Sequence, residues 1–412
     1  MSKQKKTALK ESSDSLKVKN PTSLYSKAPT VYVKKGVGRF ANLRLLAAWV
    51  LLGLYYGFPW INWNGNQAVL FDLPARKFYY FGTTLWPQDF IYLSWLLIIA
   101  ALTLFFFTSL AGRLWCGYAC PQTVWTKTFL WIERFVEGNR NSRMKLDSSP
   151  LSGHKIIIKA TKHFCWITFA LYTGFTFVGY FTPIQELTAK LADFSYGPWE
   201  TFWILFYSLA TYGNAGWLKE QVCIYMCPYA RFQSAMFDVD TLIIAYDEKR
   251  GETRGSRKKS DNKYKDNGLG DCIDCEQCVH VCPTGIDIRK GLQYECIACA
   301  ACIDVCDSVM EKMNYPSGLI KYTTDNQKLG NKQKLMRPKT LIYAVLLLSL
   351  ITGFVISLNM RIPLEVDIIR DRSSLYTTTL DGLVENVYSI KMLNMSQNKM
   401  TYNIKIDGLQ SY

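Results

Sequence analysis

Eight cysteines lie between positions 272 and 306 of this 412-residue chain, and thiolates gathered in fours are the usual hold on iron–sulfur clusters. They form two runs. Cys272, Cys275, Cys278 and Cys282, closed by Pro283, are separated by two, two and three residues, the spacing of two-cluster bacterial ferredoxins. Cys296, Cys299, Cys302 and Cys306 repeat it, with Asp307 in place of the proline. That proline shapes a turn and ligates nothing, so its absence alters a loop and leaves the ligand count alone. Because the fourth cysteine of each run serves the other run's cluster, the spacing assigns Cys272, Cys275, Cys278 and Cys306 to one [4Fe–4S] cluster and Cys296, Cys299, Cys302 and Cys282 to a second. Structural zinc also takes four thiolates, but its sites generally set two close pairs apart by a longer stretch. Three cysteines within seven residues, twice over, do not fit that pattern. The chemistry expected is the carriage of single electrons. His280, inside the first run, is expected to be hydrogen-bonded or solvated and not a ligand.

A second set of thiols stands elsewhere. Cys116-Gly117-Tyr118-Ala119-Cys120-Pro121 and Cys223-Ile224-Tyr225-Met226-Cys227-Pro228 each place two cysteines four residues apart before a proline. On a helical turn such a pair faces one way. Four thiolates of this kind, with the thioether of Met226 beside them, suit a soft metal ion, and Cu(I) is the natural candidate. Two alternatives stay open: cysteines buried as small apolar residues, and closely spaced thiols that form a transient disulfide. Repetition of the whole spacing with its proline favours chemistry over passive burial. Cys165, alone in an apolar stretch, reads as core, and His163 as a hydrogen-bonded or interfacial histidine in preference to a quinone or metal partner.

The elements that must position these thiols are membrane helices. Five stretches free of charge are about long enough to cross a bilayer core, which takes about 20 apolar residues. They run from Leu45 to Trp63, Phe90 to Ala111, Phe164 to Pro183, Thr201 to Leu218 and Thr340 to Met360. The fourth is the weakest, interrupted by Gly213 and Gly216 and limited by Glu200. Lysines and arginines number eleven before the first span, then two, nine, one and nineteen in the successive loops, an alternation that fits the positive-inside rule. The amino terminus and the cluster-bearing loop are thus expected in the cytoplasm and the carboxyl terminus outside. The net charge of +15 reads as this topology signal and not as a nucleic-acid surface. Lys249, Arg250, Arg254, Arg257, Lys258 and Lys259 either touch anionic headgroups or belong to a solvated linker.

The expected fold is an α-helical polytopic membrane protein of five transmembrane helices, with an inserted α+β two-cluster ferredoxin-like domain and a partial C-terminal β segment. Its divisions are a disordered cytoplasmic start (1–40), a four-helix membrane region with the first motif (41–220), and a cytoplasmic connector opening on the second (221–267). The ferredoxin domain (268–320), a linker (321–339), the fifth span (340–360) and the outer β segment (361–412) follow. Residues 251–267 read as a flexible linker by composition. Leu364–Ile369 and Val384–Met395 read as strands, with turn signals at Asp381-Gly382 and Asp407-Gly408. About fifty residues are too few for a seven-strand sandwich, so the β domain is either small or incomplete in this chain.

The run Arg113-Leu114-Trp115-Cys116-Gly117-Tyr118-Ala119-Cys120-Pro121-Gln122-Thr123-Val124-Trp125, the second run Cys223 to Tyr229, and the stretch Glu295-Cys296-Ile297-Ala298-Cys299 resemble the cytochrome c oxidase accessory protein family, called CcoG or FixG. The resemblance covers about residues 30 to 412 and includes the order of the motifs. It implies a multi-pass protein of the bacterial inner membrane with a periplasmic immunoglobulin-like domain, here cut short. It also implies a role in assembling the cbb-type haem–copper oxidase, as a reductase of Cu(II) to Cu(I). Its partners would be that oxidase and its assembly factors, a soluble cytoplasmic electron donor, copper ions and the lipid bilayer, with a homodimer as the expected state. An electron would enter one cluster, cross to the other, and reach copper held by Cys116, Cys120, Cys223 and Cys227. Two rival readings are a quinol-dehydrogenase-type polyferredoxin, whose motifs shape a quinol site, and a non-enzymatic assembly scaffold with structural clusters.

Overall fold

The computed structural model describes residues 31–260, 264–362, 364–372, 376–395 and 400–405. The disorder expected of residues 1–40 and the turn expected at Asp407-Gly408 fall mostly or wholly outside the described residues.

Helix α1 (Arg39–Gly57) leads into short antiparallel strands, β1 (Asn62–Trp63) with β2 (Asn66–Gln67), then a meander of β3 (Val69–Asp72), β4 (Lys77–Tyr80) and β5 (Thr83–Leu85) with Leu70 opposite Tyr79. Helix α2 (Phe90–Ala111) returns. Next come α3 (Leu114–Tyr118), α4 (Pro121–Glu137), α5 (Arg140–Ser148), α6 (Gly153–Val178), α7 (Ile184–Ala192) and α8 (Pro198–Thr211). α8 runs on into two π-helical turns, Tyr212–Leu218 and Val222–Met226, before α9 (Pro228–Ala235). The strands cap the end of α6: buried Gln67 of β2 donates to Gly179 O at 2.7 Å, and Phe71 N of β3 to Tyr180 O at 2.7 Å.

Among the described residues, three helical stretches are long and apolar enough to cross a membrane: Arg39–Trp60, Pro87–Ala111 and Pro338–Asn359. Their large apolar residues, such as Trp49, Leu97 and Leu348, are exposed, as lipid-facing side chains must be. The third and fourth expected spans coincide with α6 and with α8 plus its π turn, which are not among these three. Lys155, Lys159, Lys162 and His163 occupy the first half of α6, and α8 is only 14 residues before its winding widens. The lysines of α6 are matched from neighbouring helices. Lys159 and Lys162 meet Glu137 Oε1 at 2.8 and 3.0 Å, and Lys159 meets Asp147 at 2.6 Å. On the same face of α4, Glu133 is clasped by Arg143 at 2.8 Å and by Lys219 at 2.7 Å, fixing the end of the π turn.

The inserted domain pairs β6 (Ile243–Tyr246) with β7 (Ile320–Thr323), Ile244 facing Tyr322. Between them lie α10 (Glu248–Gly251), α11 (Gln277–His280) and α12 (Ala301–Lys312), over a core of Ile244, Ile288, Ile303, Met310, Leu319 and Ile320. The described part of 251–267 is no free linker. Arg257 lies over the rings of Tyr264 and Tyr315, 4.3 and 5.2 Å from their centroids, and Gly255 N donates to Cys272 O. Arg250 holds Asp271 at 2.6 Å, so these two members of the basic run serve the domain's own packing.

After α13 (Asp325–Lys328) comes the long apolar helix α14 (Pro338–Asn359). Then β8 (Leu364–Arg370) pairs antiparallel with β11 (Tyr388–Asn394), and β9 (Thr377–Thr378) with β10 (Val384–Glu385). Both expected strands are thus present and face each other.

Candidate metal centres

The two cysteine runs wrap two adjacent pockets. One is lined by Cys272, Cys275, Cys278 and Cys306 with Ile273, Tyr246 and Leu319. The other is lined by Cys282, Cys296, Cys299 and Cys302 with Ile244, Ile286, Ile288 and Ile297, and Cys278 reaches its wall. The fourth cysteine of each run has therefore crossed to the other run's pocket. The crossing is built by helix starts: α11 begins two residues after Cys275 and α12 two after Cys299, through left-handed Glu276 and Ala300. Burial pushes the thiols of Cys278, Cys296 and Cys306 up to about 12, so alone they would stay neutral; a coordinated metal deprotonates them outright. Four thiols in an apolar wall are the donor set and dryness that a [4Fe–4S] cluster takes, and the residues present fit it.

The two pockets differ in electrostatics. Cys275 is exposed, and the first pocket is flanked by Asp274, Glu276 and Asp287, which pair with the guanidinium of Arg289. The second faces the membrane helices and their cations. Arg44 of α1 donates to Cys299 O at 2.7 Å, and Arg113 to Cys296 O at 3.3 Å and to Ala230 O. Lys127, whose ammonium is buried without a hydrogen-bond partner, is pushed down to about 8 by burial and by Arg44 and Arg134, with Cys299 working the other way.

The two Cys–Pro motifs leave their helices alike at the second cysteine. Cys116 lies in α3 and Cys223 in a π turn, whereas Cys120 and Cys227 leave the helical conformation as the residues preceding Pro121 of α4 and Pro228 of α9. The pairs do not share one helical turn, as i,i+4 spacing suggested; each straddles a break that proline enforces. The motifs do meet. Arg113 reaches Ala230 O, the Cys116 thiol lies 3.5 Å from Gln233 Oε1, and Gln122 Nε2 donates to Lys219 O at 3.1 Å and to Asn214 O at 2.9 Å. Burial first, then Cys120, pushes the Cys116 thiol up to about 12, with Cys223 and Cys227 adding to it. Among the described residues no three His, Cys, Asp or Glu side chains converge on one ion position. Met226 is largely exposed, while the four thiols are half-buried.

The first motif docks on the second pocket. Cys116 packs with Ile297 and Cys299, and a Cβ on Gly117 would lie 2.8 Å from Cys299 Cα and from Ile297 O. Asp304 of α12 secures the same junction, accepting Phe40 N at 3.0 Å and Ala41 N at 2.7 Å in the first turn of α1. Sequence reasoning missed Arg44, Arg113, Gly117, Gln233 and Asp304. Of these, only Arg113 and Gly117 carried a signal, their place inside the quoted motif. His163 bonds Tyr212 OH through Nδ1 at 3.0 Å and stacks on Trp217, and Cys165 sits in α6.

Apolar helices joined to a paired-pocket cysteine module define a membrane iron–sulfur electron-transfer protein. The comparisons agree: residues 218–325 match a 4Fe-4S dicluster domain, 93–138 a 4Fe-4S binding domain, and 354–412 the IG-like fold at the C-terminal of FixG. The chain is 38% identical to the nitrogen fixation protein FixG of Rhizobium meliloti, over 97% of this chain and 83% of that one. It is 40% identical to protein RdxB of Cereibacter sphaeroides, over 93% and 83%. The chain belongs to the FixG family. No solved structure matches it.

Proposed function

We propose that this chain is a membrane-bound reductase that converts Cu(II) to Cu(I) and so assists copper insertion and assembly of a cbb-type oxidase. The observation that carries the reading is the contact between Gly117 and the Cys299 backbone, which sets a thiol-rich motif directly against a cluster pocket. Cys272, Cys275, Cys278 and Cys306 are the ligands of one [4Fe–4S] cluster and Cys282, Cys296, Cys299 and Cys302 those of the other. When bound, the clusters supply one-electron storage.

The chain's own residues lay out the order of the stations. Exposed Cys275 and its acidic neighbours face a soluble donor. Arg44, Arg113 and Lys127 favour added negative charge at the second pocket, so its reduction is the easier of the two. Cys116, Cys120, Cys223 and Cys227 follow as the last station, where copper is the substrate and takes one electron per ion. The lysine and arginine alternation supports a topology with the ferredoxin module in the cytoplasm, β8–β11 in the periplasm, and α6 and α8 as the third and fourth crossings.

The test uses anaerobic detergent-solubilised protein with reduced clusters, mixed with Cu(II) and a chromogenic Cu(I) chelator. Cu(I) should form as the cluster absorbance returns to its oxidised level. Clusters that stay reduced in the presence of Cu(II), yet fill rapidly from menaquinol or ubiquinol, would replace this reading with the quinol-dehydrogenase one.

A further inference from the structure

We infer that the hydroxyl of Tyr246 donates a hydrogen bond to the sulfur of Cys272 in the first cluster and raises that cluster's potential. The inference rests on the assignment of Cys272, Cys275, Cys278 and Cys306 to one [4Fe–4S] cluster, and it is independent of what the Cys–Pro motifs hold.

Besides its cysteines, the first pocket has four polar side chains in its wall, those of Tyr246, Glu276, Gln277 and Arg289. Three of them are already engaged or open to solvent. Arg289 holds Asp287 at 2.8 Å, Gln277 accepts Lys34 Nζ on its Oε1 at 2.8 Å, and Glu276 is exposed. Tyr246 differs. It is 6% exposed, packs in the domain core with Cys272 and Cys278, and its hydroxyl has no hydrogen-bond partner among the described residues. Leaving a buried hydroxyl unpaired is costly. Its strongest electrostatic neighbour is the Cys272 side chain, followed by the carboxylate of Glu252. Glu252 is exposed and meets Arg254 at 3.0 Å, which leaves the sulfur as the acceptor on the pocket side.

The chemistry of the donor set supports this pairing. A thiol is a weak acceptor, whereas a coordinated sulfur carries no proton and gains negative charge when its cluster is reduced. The hydroxyl that is orphaned beside a thiol is therefore satisfied beside a thiolate. Hydrogen bonds to cluster sulfurs favour the reduced state and so set the potential. The second pocket uses a hydroxyl in the same way: Thr284 Oγ1 lies 3.2 Å from Cys282 Sγ, and a coordinated sulfur there can only accept.

The fold holds the phenol in place from two sides. Tyr246 ends β6 opposite Ile320, and the chain turns back through α10 to bring Gly251 against its ring. A Cβ on Gly251 would fall on the hydroxyl oxygen and on Cζ, so a side chain there would displace the donor. Gly251 is itself packed against Gly270, whose own Cβ would run into the Gly251 carbonyl. Asp271 and Cys272 follow Gly270 directly, so the same pair of glycines sets the ligand loop beside the hydroxyl. The donor partly offsets the carboxylates of Asp274, Glu276 and Asp287 around this pocket, whose charge disfavours an added electron.

The experiment is a redox titration of the full chain, purified in detergent without oxygen and followed by paramagnetic resonance, so that the midpoint of each ferredoxin cluster is read. Tyr246→Phe removes the hydroxyl and keeps the ring. It should lower one midpoint by about 59 mV, a tenfold change in the one-electron equilibrium, and Thr284→Val should lower the other. Two unmoved midpoints in a Tyr246→Phe protein that keeps the parent's iron content would show that the hydroxyl serves Glu252, and would overturn the inference. Movement of the same midpoint by both variants would overturn it as well. Replacement of Tyr246 by 3-fluorotyrosine, a more acidic phenol and a stronger donor of nearly the same shape, should raise the midpoint that Tyr246→Phe lowers, which an effect of ring packing alone would not do. Should Tyr246→Phe lose its clusters, the fluorinated protein decides: a raised midpoint supports the donor, and an unmoved or lowered one overturns it. Copper is absent from the assay, so failure of the copper reading cannot be mistaken for failure here.

Discussion

Adding one methyl group at Gly117 tests the junction on which the electron path depends. In an ordinary helix, alanine in place of glycine stabilises by about 1 kcal/mol. Gly117 is helical, in α3, but its Cβ would stand 2.8 Å from Cys299 Cα, 2.8 Å from Ile297 O and 3.0 Å from Cys299 N. All three are backbone atoms of the second cluster loop, and no rotamer change removes them. To reach the 3.4 Å at which ordinary contact begins, motif and loop must separate by about 0.6 Å. Overpacking of this kind costs about 1–3 kcal/mol, which outweighs the helix gain. Gly117→Ala should therefore lower stability by up to about 2 kcal/mol, where Gly213→Ala, with nothing within 4 Å, should not. Denaturant midpoints read through cluster absorbance give the first quantity, and stopped-flow formation of Cu(I) from pre-reduced protein gives the second. A Gly117→Ala protein as stable as its parent and equally fast with copper would refute the reasoning.

Asp304→Ala strips the acceptor from Phe40 N and Ala41 N at a buried junction and should cost about 1–3 kcal/mol, with Asp304→Asn costing less. Amide hydrogen exchange should rise in the first turn of α1, and unchanged protection there would count against the cap. Asp271 supplies a pH test. Burial works against its charge, but the bonds from Arg250 Nε at 2.6 Å and Tyr264 OH at 2.8 Å prevail and hold its carboxyl below the usual range. A depressed folded value contributes stability above the ordinary aspartate value of about 3.9 and loses it as pH falls through that value towards the folded one. The stability gap between parent and Asp271→Asn should accordingly hold at neutral pH and shrink as pH falls from about 5 through about 3.9 towards the lower folded value. A gap of constant size would show that the carboxylate's charge is not what Arg250 and Tyr264 recognise.

The ferredoxin runs were readable because cluster ligation dictates spacing along the chain, and the three apolar helices because lipid dictates composition over about twenty residues. Other features depend on partners remote in sequence. The lysines of α6 look foreign to a membrane helix until Glu137 and Asp147 are seen beside them. Residues 251–267 look like a linker because their composition is polar, and only Tyr315, some sixty positions later, shows where Arg257 is held. Strands β1–β5 were missed altogether. They are two to four residues long, and their register is secured partly by α6, through Gly179 and Tyr180, and not by their own pattern.

The motif spacing itself carries an argument beyond the identity of its ligands. A Cys-x-x-Cys unit keeps both sulfurs at the entrance of one helix, as Cys275 and Cys278 or Cys299 and Cys302 do around α11 and α12. One more residue followed by proline forces a break, so the first sulfur ends one helical turn and the second precedes a new helix. A single such unit presents two thiols at a junction of helices and can complete no four-ligand site. Two of them, held together by Arg113, Gln122 and Gln233, set four thiols at one junction, and the elements that approach each other there are α3, α4 and α9 and not loops of one module. That difference explains why the ferredoxin ligands are contiguous in sequence whereas the thiols of the two Cys–Pro motifs lie more than a hundred residues apart: the first set is gathered locally, and the second by helices remote in sequence.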